Sequence, residues 1–536
     1  MACALAATLP GCAAQEAATT YPVDGVVLNR LTHEPIARAL VDATSDAALT
    51  DGDGRFELHL PEGFTGIMVR RPGYESSTQE TAHALKVGPD MPALTFYLTP
   101  SAGIVGQVAL SSGDEADHIR FTIYREQSVG GRAQWMPAGG AVTDSEGVFR
   151  DFPLRAPASY VLCSDYSPDQ PGPAQFGYPS VCYPGGGDFA SAAQAPLALS
   201  PGQQAQINIA LTRQPFYRVS IAVANPTQAQ GLAIPIFDAS GRVLGVGAEW
   251  NRQRETAEAE LPDGNYYAEA RAWGKVQVYG RVDFSVADGP VSGLNLVLLP
   301  IQPVPVEIHK DFTAIGNGAG MVYLPNGQPA DADPDMNLLL LPAASSPQGY
   351  VGGNLHRPDG SYDSDSYVLD GVIPGRYWVQ ANTYNAYISS ITSGGIDLTR
   401  EPLLIGPGGS TPPIEITLRN DLGRLACTVA GPSFTTQATG PASGEMNLAY
   451  VYAIPLFPSL TRLQQATAQL PGPVSMSLAP GSYLVVAFDS QQDLDMDDPN
   501  ELARLTPQGQ TVTVAAGGTT NVSVNLVHAA AQEAAQ

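Results

Sequence analysis

The sequence predicts an all-β protein: about five tandem β-sandwich domains, immunoglobulin-like or prealbumin-like, joined as a semi-rigid rod. Three observations predict it. The chain of 536 residues exceeds the roughly 250–300 at which one core stops growing. Its 55 glycines and 46 prolines are interleaved with short apolar runs, which is turn chemistry and not low complexity. Finally, one phrase recurs, a Pro-Gly-x-Tyr turn followed by alternating apolar residues. It reads Pro374-Gly375-Arg376-Tyr377 and Pro480-Gly481-Ser482-Tyr483. Looser copies are Pro262-Asp263-Gly264-Asn265-Tyr266, Pro61-Glu62-Gly63-Phe64 and Pro157-Ala158-Ser159-Tyr160. The spacing is too long for a solenoid repeat and fits one small β-domain per copy.

Residues 1–19 read as a leader. Met1 to Ala14 are small and apolar, as in the core of an export signal, without basic residues in front. Leu9-Pro10-Gly11-Cys12 resembles a bacterial lipobox, in which Cys12 would carry the lipid; Pro10 departs from that pattern. Ordinary cleavage near Ala13 or Ala14 is the alternative, and would give a freely secreted protein.

The first domain spans 20–100. Its strands are Val23 to Leu28, Pro35 to Val41, and the hairpin Thr50-Asp51-Gly52-Asp53-Gly54-Arg55-Phe56, in which Asp-Gly supplies the positive φ of a tight turn. Gly73-Tyr74 follows, and Leu94 to Leu98 closes the domain. This succession of motifs over Val23 to Tyr74 resembles the carboxypeptidase regulatory-like domain. The resemblance implies a transthyretin-like sandwich of a kind grouped with carbohydrate-binding-like folds. Detached from any peptidase, such domains occur in bacterial cell-surface proteins.

The second domain, 101–214, repeats the hairpin as Thr143-Asp144-Ser145-Glu146-Gly147-Val148-Phe149 and ends on Gln206 to Leu211. Cys163 and Cys182 flank its Pro/Gly/Tyr-rich loop and are the expected disulfide of an oxidising compartment. Tyr178 to Gly185, and the stretch from Asp489 to Val512, are similar to segments of large exported proteins of soil bacteria that carry regulatory-like domains. The third domain (215–303) turns around Ala239-Ser240-Gly241-Arg242, and the fourth (304–420) around Pro358-Asp359-Gly360. The fifth (421–527) ends on Asn521 to Leu526, ahead of a small polar tail, 528–536. Linkers such as Leu299-Pro300-Ile301-Gln302-Pro303 run almost strand to strand, and proline stiffens them.

The net charge of −25 repels phosphate, which argues against nucleic acid and against anionic membrane surfaces. No later apolar run is long enough to span a bilayer, so membrane association is expected only through a lipid anchor. No Gly-x-Ser-x-Gly, His-Glu-x-x-His or P-loop is present, and the seven histidines are scattered singly. The expectation is therefore a protein that is not an enzyme. Cys427 reads as a buried strand thiol.

Two site candidates follow. Strand alternation turns Trp378 and Tyr267 away from the cores that Tyr377 and Tyr266 enter, and Tyr384 and Tyr387 lie near Trp378 in sequence. Exposed aromatic rings stack on sugars, so these four are the carbohydrate candidates; packing against a neighbouring domain or loop is the rival reading. Asp493, Asp495 and Asp497 lie in an oxygen-rich run suited to Ca²⁺ but without EF-hand spacing. In the same run, Asp498-Pro499-Asn500-Glu501 reads as the capped start of a short helix to Leu505. Hairpin turn chemistry accounts for Asp51 and Asp53.

Together these readings describe an exported or cell-surface protein that recognises carbohydrate or another surface component. A structural stalk or self-associating filament subunit, and an accessory module of a peptidase or outer-membrane transport assembly, are the alternatives.

Overall fold

The computed structural model describes residues 20–75, 85–89, 91, 93–168, 176–224, 231–273, 277–312, 322–323, 329–330, 336–343, 347, 351–358, 366–383, 386–407, 411–430, 443–445, 447–470 and 473–527. The leader with Cys12, the tail 528–536, the Asp359-Gly360 turn and Tyr384 lie outside them. The chain is almost entirely β-strand, organised as tandem β-sandwiches. Two compact units are distinguished, residues 1–101 with 435–446, and residues 102–434 with 447–536.

One topology occurs five times. The first strand of each sandwich pairs antiparallel with a middle strand on one side and parallel with the last strand on the other. In the first unit these are Thr20–Asn29 with Arg55–Pro61 and Ala93–Leu98. In the second unit they are Ala102–Leu110 with Val148–Leu154 and Gln204–Leu211, then Tyr217–Ala224 with Thr256–Leu261 and Val291–Val297. Val304–Asp311 with Ser366–Asp370 and Ile414–Arg419, and Gly423–Ala430 with Pro473–Leu478 and Thr519–Val527, complete the series. Period-2 burial drives each one. Gln204–Leu211, for example, alternates exposed and buried at every step, so Ala205, Ile207, Ile209 and Leu211 enter the core.

Each first-strand sheet faces a second one across an apolar core. The cores gather residues 23–98, 102–211, 219–298 and 425–524, while Val304–Leu418 share theirs with Tyr279 and Leu460. In the first unit the facing sheet is Ala47–Leu49, Leu40–Ala43 and Ile67–Arg70. Ser443–Glu445 adds a parallel strand to Ala93–Leu98.

The Thr-Asp hairpins show why those residue types recur. The hydroxyl of Thr50 donates to the Ile36 carbonyl and accepts from the Ala39 amide; Thr143 does the same with Ala116 and Ile119. The Asp51 carboxylate accepts from the amides of Asp53 and Arg55, Asp144 from Glu146 and Val148, and Asp238 from Ser240 and Arg242. Gly54, at φ +71°, closes the first of these turns, where a Cβ would lie 2.6 Å from the Val27 carbonyl.

The Pro-Gly-x-Tyr phrase is a tyrosine folded back over its own turn. Tyr266 donates its hydroxyl to the Pro262 carbonyl at 3.0 Å, Tyr377 to Ile373 at 3.1 Å and Tyr483 to Ala479 at 2.8 Å. Tyr160 reaches the Arg155 carbonyl in the same way. The ring covers the glycine: a Cβ on Gly264 or Gly375 would lie 2.6 or 2.8 Å from the tyrosine oxygen. The motif pins the start of one core strand in each of the four sandwiches of the second unit.

Cys163 and Cys182 are bonded, beside a cluster of Tyr124, Trp135 and Phe189. A bridge between residues 19 apart contributes roughly 3 kcal/mol in the chain-entropy description. The helix Pro499–Leu505 starts on Asp498, whose carboxylate accepts from the Asn500 amide.

Candidate functional site

Three of the nominated residues, Trp378, Asp495 and Asp497, converge on one hairpin of the second sandwich. Strands Arg120–Ser128 and Ala133–Val142 are joined through Val129-Gly130-Gly131-Arg132. Gly130 and Gly131 have φ of +60° and +83°, a double left-handed turn that glycine makes cheaply. Its backbone is read from two sides. The Val129 carbonyl accepts from the Gln380 amide at 2.8 Å. The Gly131 carbonyl accepts from the Met496 amide at 2.8 Å, and the Ser128 hydroxyl donates to the Leu494 carbonyl at 2.6 Å.

Arg132 is the centre of this junction. Its side chain is only 6% exposed. The guanidinium carbon lies 3.7 Å from the Trp378 ring centroid and the group donates to Asp497, which also accepts from Arg462. Burial, and then Arg462, hold its pKa below the usual arginine range, while Asp497 opposes them. The second sandwich therefore meets both the fourth and the fifth, neither of which is its neighbour in the chain, whereas the expected rod brings only successive sandwiches into contact.

Trp378 is thus half-buried beneath a guanidinium. Tyr267 does point opposite to Tyr266, but it is not exposed as the alternation suggested. It is 7% exposed, stacked on Phe237 at 4.7 Å and 5°, with the Arg281 guanidinium 3.6 Å from its centroid. Tyr387 is half-buried and donates to Asp421 at 2.9 Å. These rings pack within the protein, the second of the two readings their sequence left open.

The acidic run is also engaged. Asp495 accepts from the amides of Ala133 and Asp497, Asp497 binds two arginines, and Asp493 is exposed. Among the described residues no three His, Cys, Asp or Glu side chains are grouped to hold a metal ion. Cys427 is a buried thiol whose pKa burial pushes up to about 11, far from the depressed values of reactive cysteines.

Arg132, Arg462, Gln380 and Ser128 were missed by sequence reasoning. The available signal was Gly130-Gly131 inside an otherwise regular hairpin. Arg242 makes a similar interdomain link, joining Asp238 of the third sandwich to Ser180 of the second. Within the third sandwich, buried Glu269 accepts from Tyr279 and Arg271, both at 3.0 Å.

One carboxylate sits against this pattern. Burial, and then Asp495, push the Glu126 pKa upward. A raised folded pKa means that the charged form is disfavoured at neutral pH and that the cost fades as pH falls through the folded value. Glu126→Gln is expected to raise stability by about 1 kcal/mol at neutral pH and to flatten its rise toward mild acid, as measured by urea melts. An unchanged pH profile would refute this.

No family model matches the chain, and no curated protein matches it. Among solved structures it is similar to a Bacillus anthracis TIE protein at 14% identity and a TM-score of 0.17, over 53% of this chain and 51% of that one. It therefore spans about half of that relative's length. It is similar to a streptococcal ancillary pilin at 10% identity and 0.17, over 52% and 98%. The Streptococcus agalactiae minor pilin gives 9% and 0.18, over 39% and 100%.

Proposed function

We propose that this chain is a non-enzymatic, exported surface protein whose sandwiches serve as a structural stalk or assembly subunit. The observation that carries this reading is the Arg132 junction: a hairpin of one sandwich is held by hydrogen bonds, an ion pair and a cation–π contact to two others. Such cross-links oppose the relative domain motion that is the default for chained domains. The same contacts occupy Trp378, an aromatic that carbohydrate recognition would need free. The export-like leader and the disulfide support an extracellular setting. The first domain's resemblance to the carboxypeptidase regulatory-like family enters here as a surface module without peptidase chemistry.

Limited proteolysis tests the proposal. The region 102–527 is expected to persist as one resistant fragment, and a glycan array to show no binding that depends on Trp378 or Tyr267. Release of four separate sandwiches would overturn the structural reading. Glycan binding lost in Trp378→Ala or Tyr267→Ala would replace it with carbohydrate recognition.

A further inference from the structure

We propose that a cleft in the second sandwich, flanked by Arg125 and Arg155, binds one carboxylate-bearing sugar unit, a hexuronate. This goes beyond the structural reading and is independent of it. The cleft encloses about 300 Å³, the lower end of the range for small-molecule sites. That size suits a single unit better than a length of polymer.

Charge carries the argument. Acidic residues outnumber basic ones 52 to 27, and several arginines have a carboxylate partner: Arg70 with Asp42, Arg218 with Glu258, Arg281 with Asp283, Arg504 with Glu501. Arg125 and Arg155 line one cleft, yet among the described residues neither forms an ion pair. Arg125 donates instead to the neutral amide oxygen of Gln127. Tyr160 links the backbones that carry the two arginines. Arg125 lies opposite Tyr160 in the sheet register, and the Tyr160 hydroxyl donates to the Arg155 carbonyl. The cleft thus brings together two arginines that have no carboxylate partner among the described residues, and a bound carboxylate would supply that partner through charge-assisted, bidentate bonds.

The rest of the lining selects the body of the ligand. Met136, Pro137 and Pro153 present C–H surface, which a pyranose face covers. Gln127, its amide oxygen engaged by Arg125, keeps its NH₂ to donate to a ring hydroxyl.

The test uses the whole chain with sodium glucuronate, glucose and sodium succinate as probes, followed by calorimetry or by protein chemical shifts. Glucuronate is expected to bind saturably and to weaken with added salt, with glucose and succinate at least ~10-fold weaker. Arg125→Gln and Arg155→Gln should each lose about 10-fold, one charge-assisted bond's worth, while Arg424→Gln, remote from the cleft, binds as before. Both arginines are partly exposed, so unchanged melting temperatures serve as the folding control. Glucose binding as tightly as glucuronate would overturn the carboxylate requirement. Succinate binding as tightly would overturn the sugar, and the absence of saturable glucuronate binding would overturn the site.

Discussion

Arg132→Ala is expected to destabilise the second unit by about 3 kcal/mol. A hydrogen bond to a charged group contributes roughly 1.5–3 kcal/mol, and a desolvated cation–π contact up to about 2. Both are lost together, because one guanidinium supplies them. The loss is tempered because Asp497 keeps Arg462 as a partner, so no isolated carboxylate is left behind. Arg132→Lys keeps the charge but neither the fork that meets Asp497 nor the flat face on Trp378, and should recover less than half of the loss. Arg462→Ala, whose side chain is more exposed, should cost less than about 1 kcal/mol. Urea unfolding of the three variants measures all of this. Equal stability of wild type and Arg132→Ala would show that the junction forms without holding the sandwiches together.

Tyr377→Ala should cost about 3–5 kcal/mol, the range for losing a large buried aromatic. Tyr377→Phe should cost only about 1 kcal/mol. The split follows from the geometry. The ring is 3% exposed within a core, while the hydroxyl makes one hydrogen bond, to Ile373. Phenylalanine keeps the packing and leaves a buried carbonyl without that donor. Gly375→Ala should fall between the two, since its Cβ would press on the tyrosine oxygen. Alkaline pH gives an independent readout. Burial, and then Glu269, push the Tyr377 pKa up to about 12. Its contribution is therefore complete below the unfolded tyrosine value near 10 and is lost as pH rises from there through the folded value. Tyr377→Phe should show a shallower alkaline decline in stability. An equal decline in both proteins would mean that ionisation of Tyr377 is not what weakens the fold.

Local devices were legible because their partners are close in sequence. The aspartates of the Thr-Asp turns, the tyrosine folded over its glycine and the Asp498 cap all bond within a few residues. Residue type and spacing specify such contacts before any sandwich assembles. Strand alternation also placed Tyr266 and Tyr267 on opposite faces. What alternation could not say is what covers the outward face, since Phe237 and Arg281 reach Tyr267 from other strands of the sheet. The candidate site was less legible for the same reason. Trp378 and Asp497 were singled out, but the side chain that links them, Arg132, is hundreds of residues away in the chain.

The sequence by itself determined the class of fold, its tandem organisation and the turns that start its strands, because period-2 burial and positive-φ turns are local demands on the backbone. It also specified an acidic chain, with a net charge of −25. Only the tertiary structure decided that one hairpin crosses to two other sandwiches, and that Trp378, Tyr267, Asp495 and Asp497 serve as contacts inside the protein. It alone brought Arg125 and Arg155 to one cleft with no carboxylate partner among the described residues. These outcomes depend on which distant surfaces pack against each other. A charge or an aromatic face carries the same local signal in sequence whether water, a ligand or another domain comes to cover it.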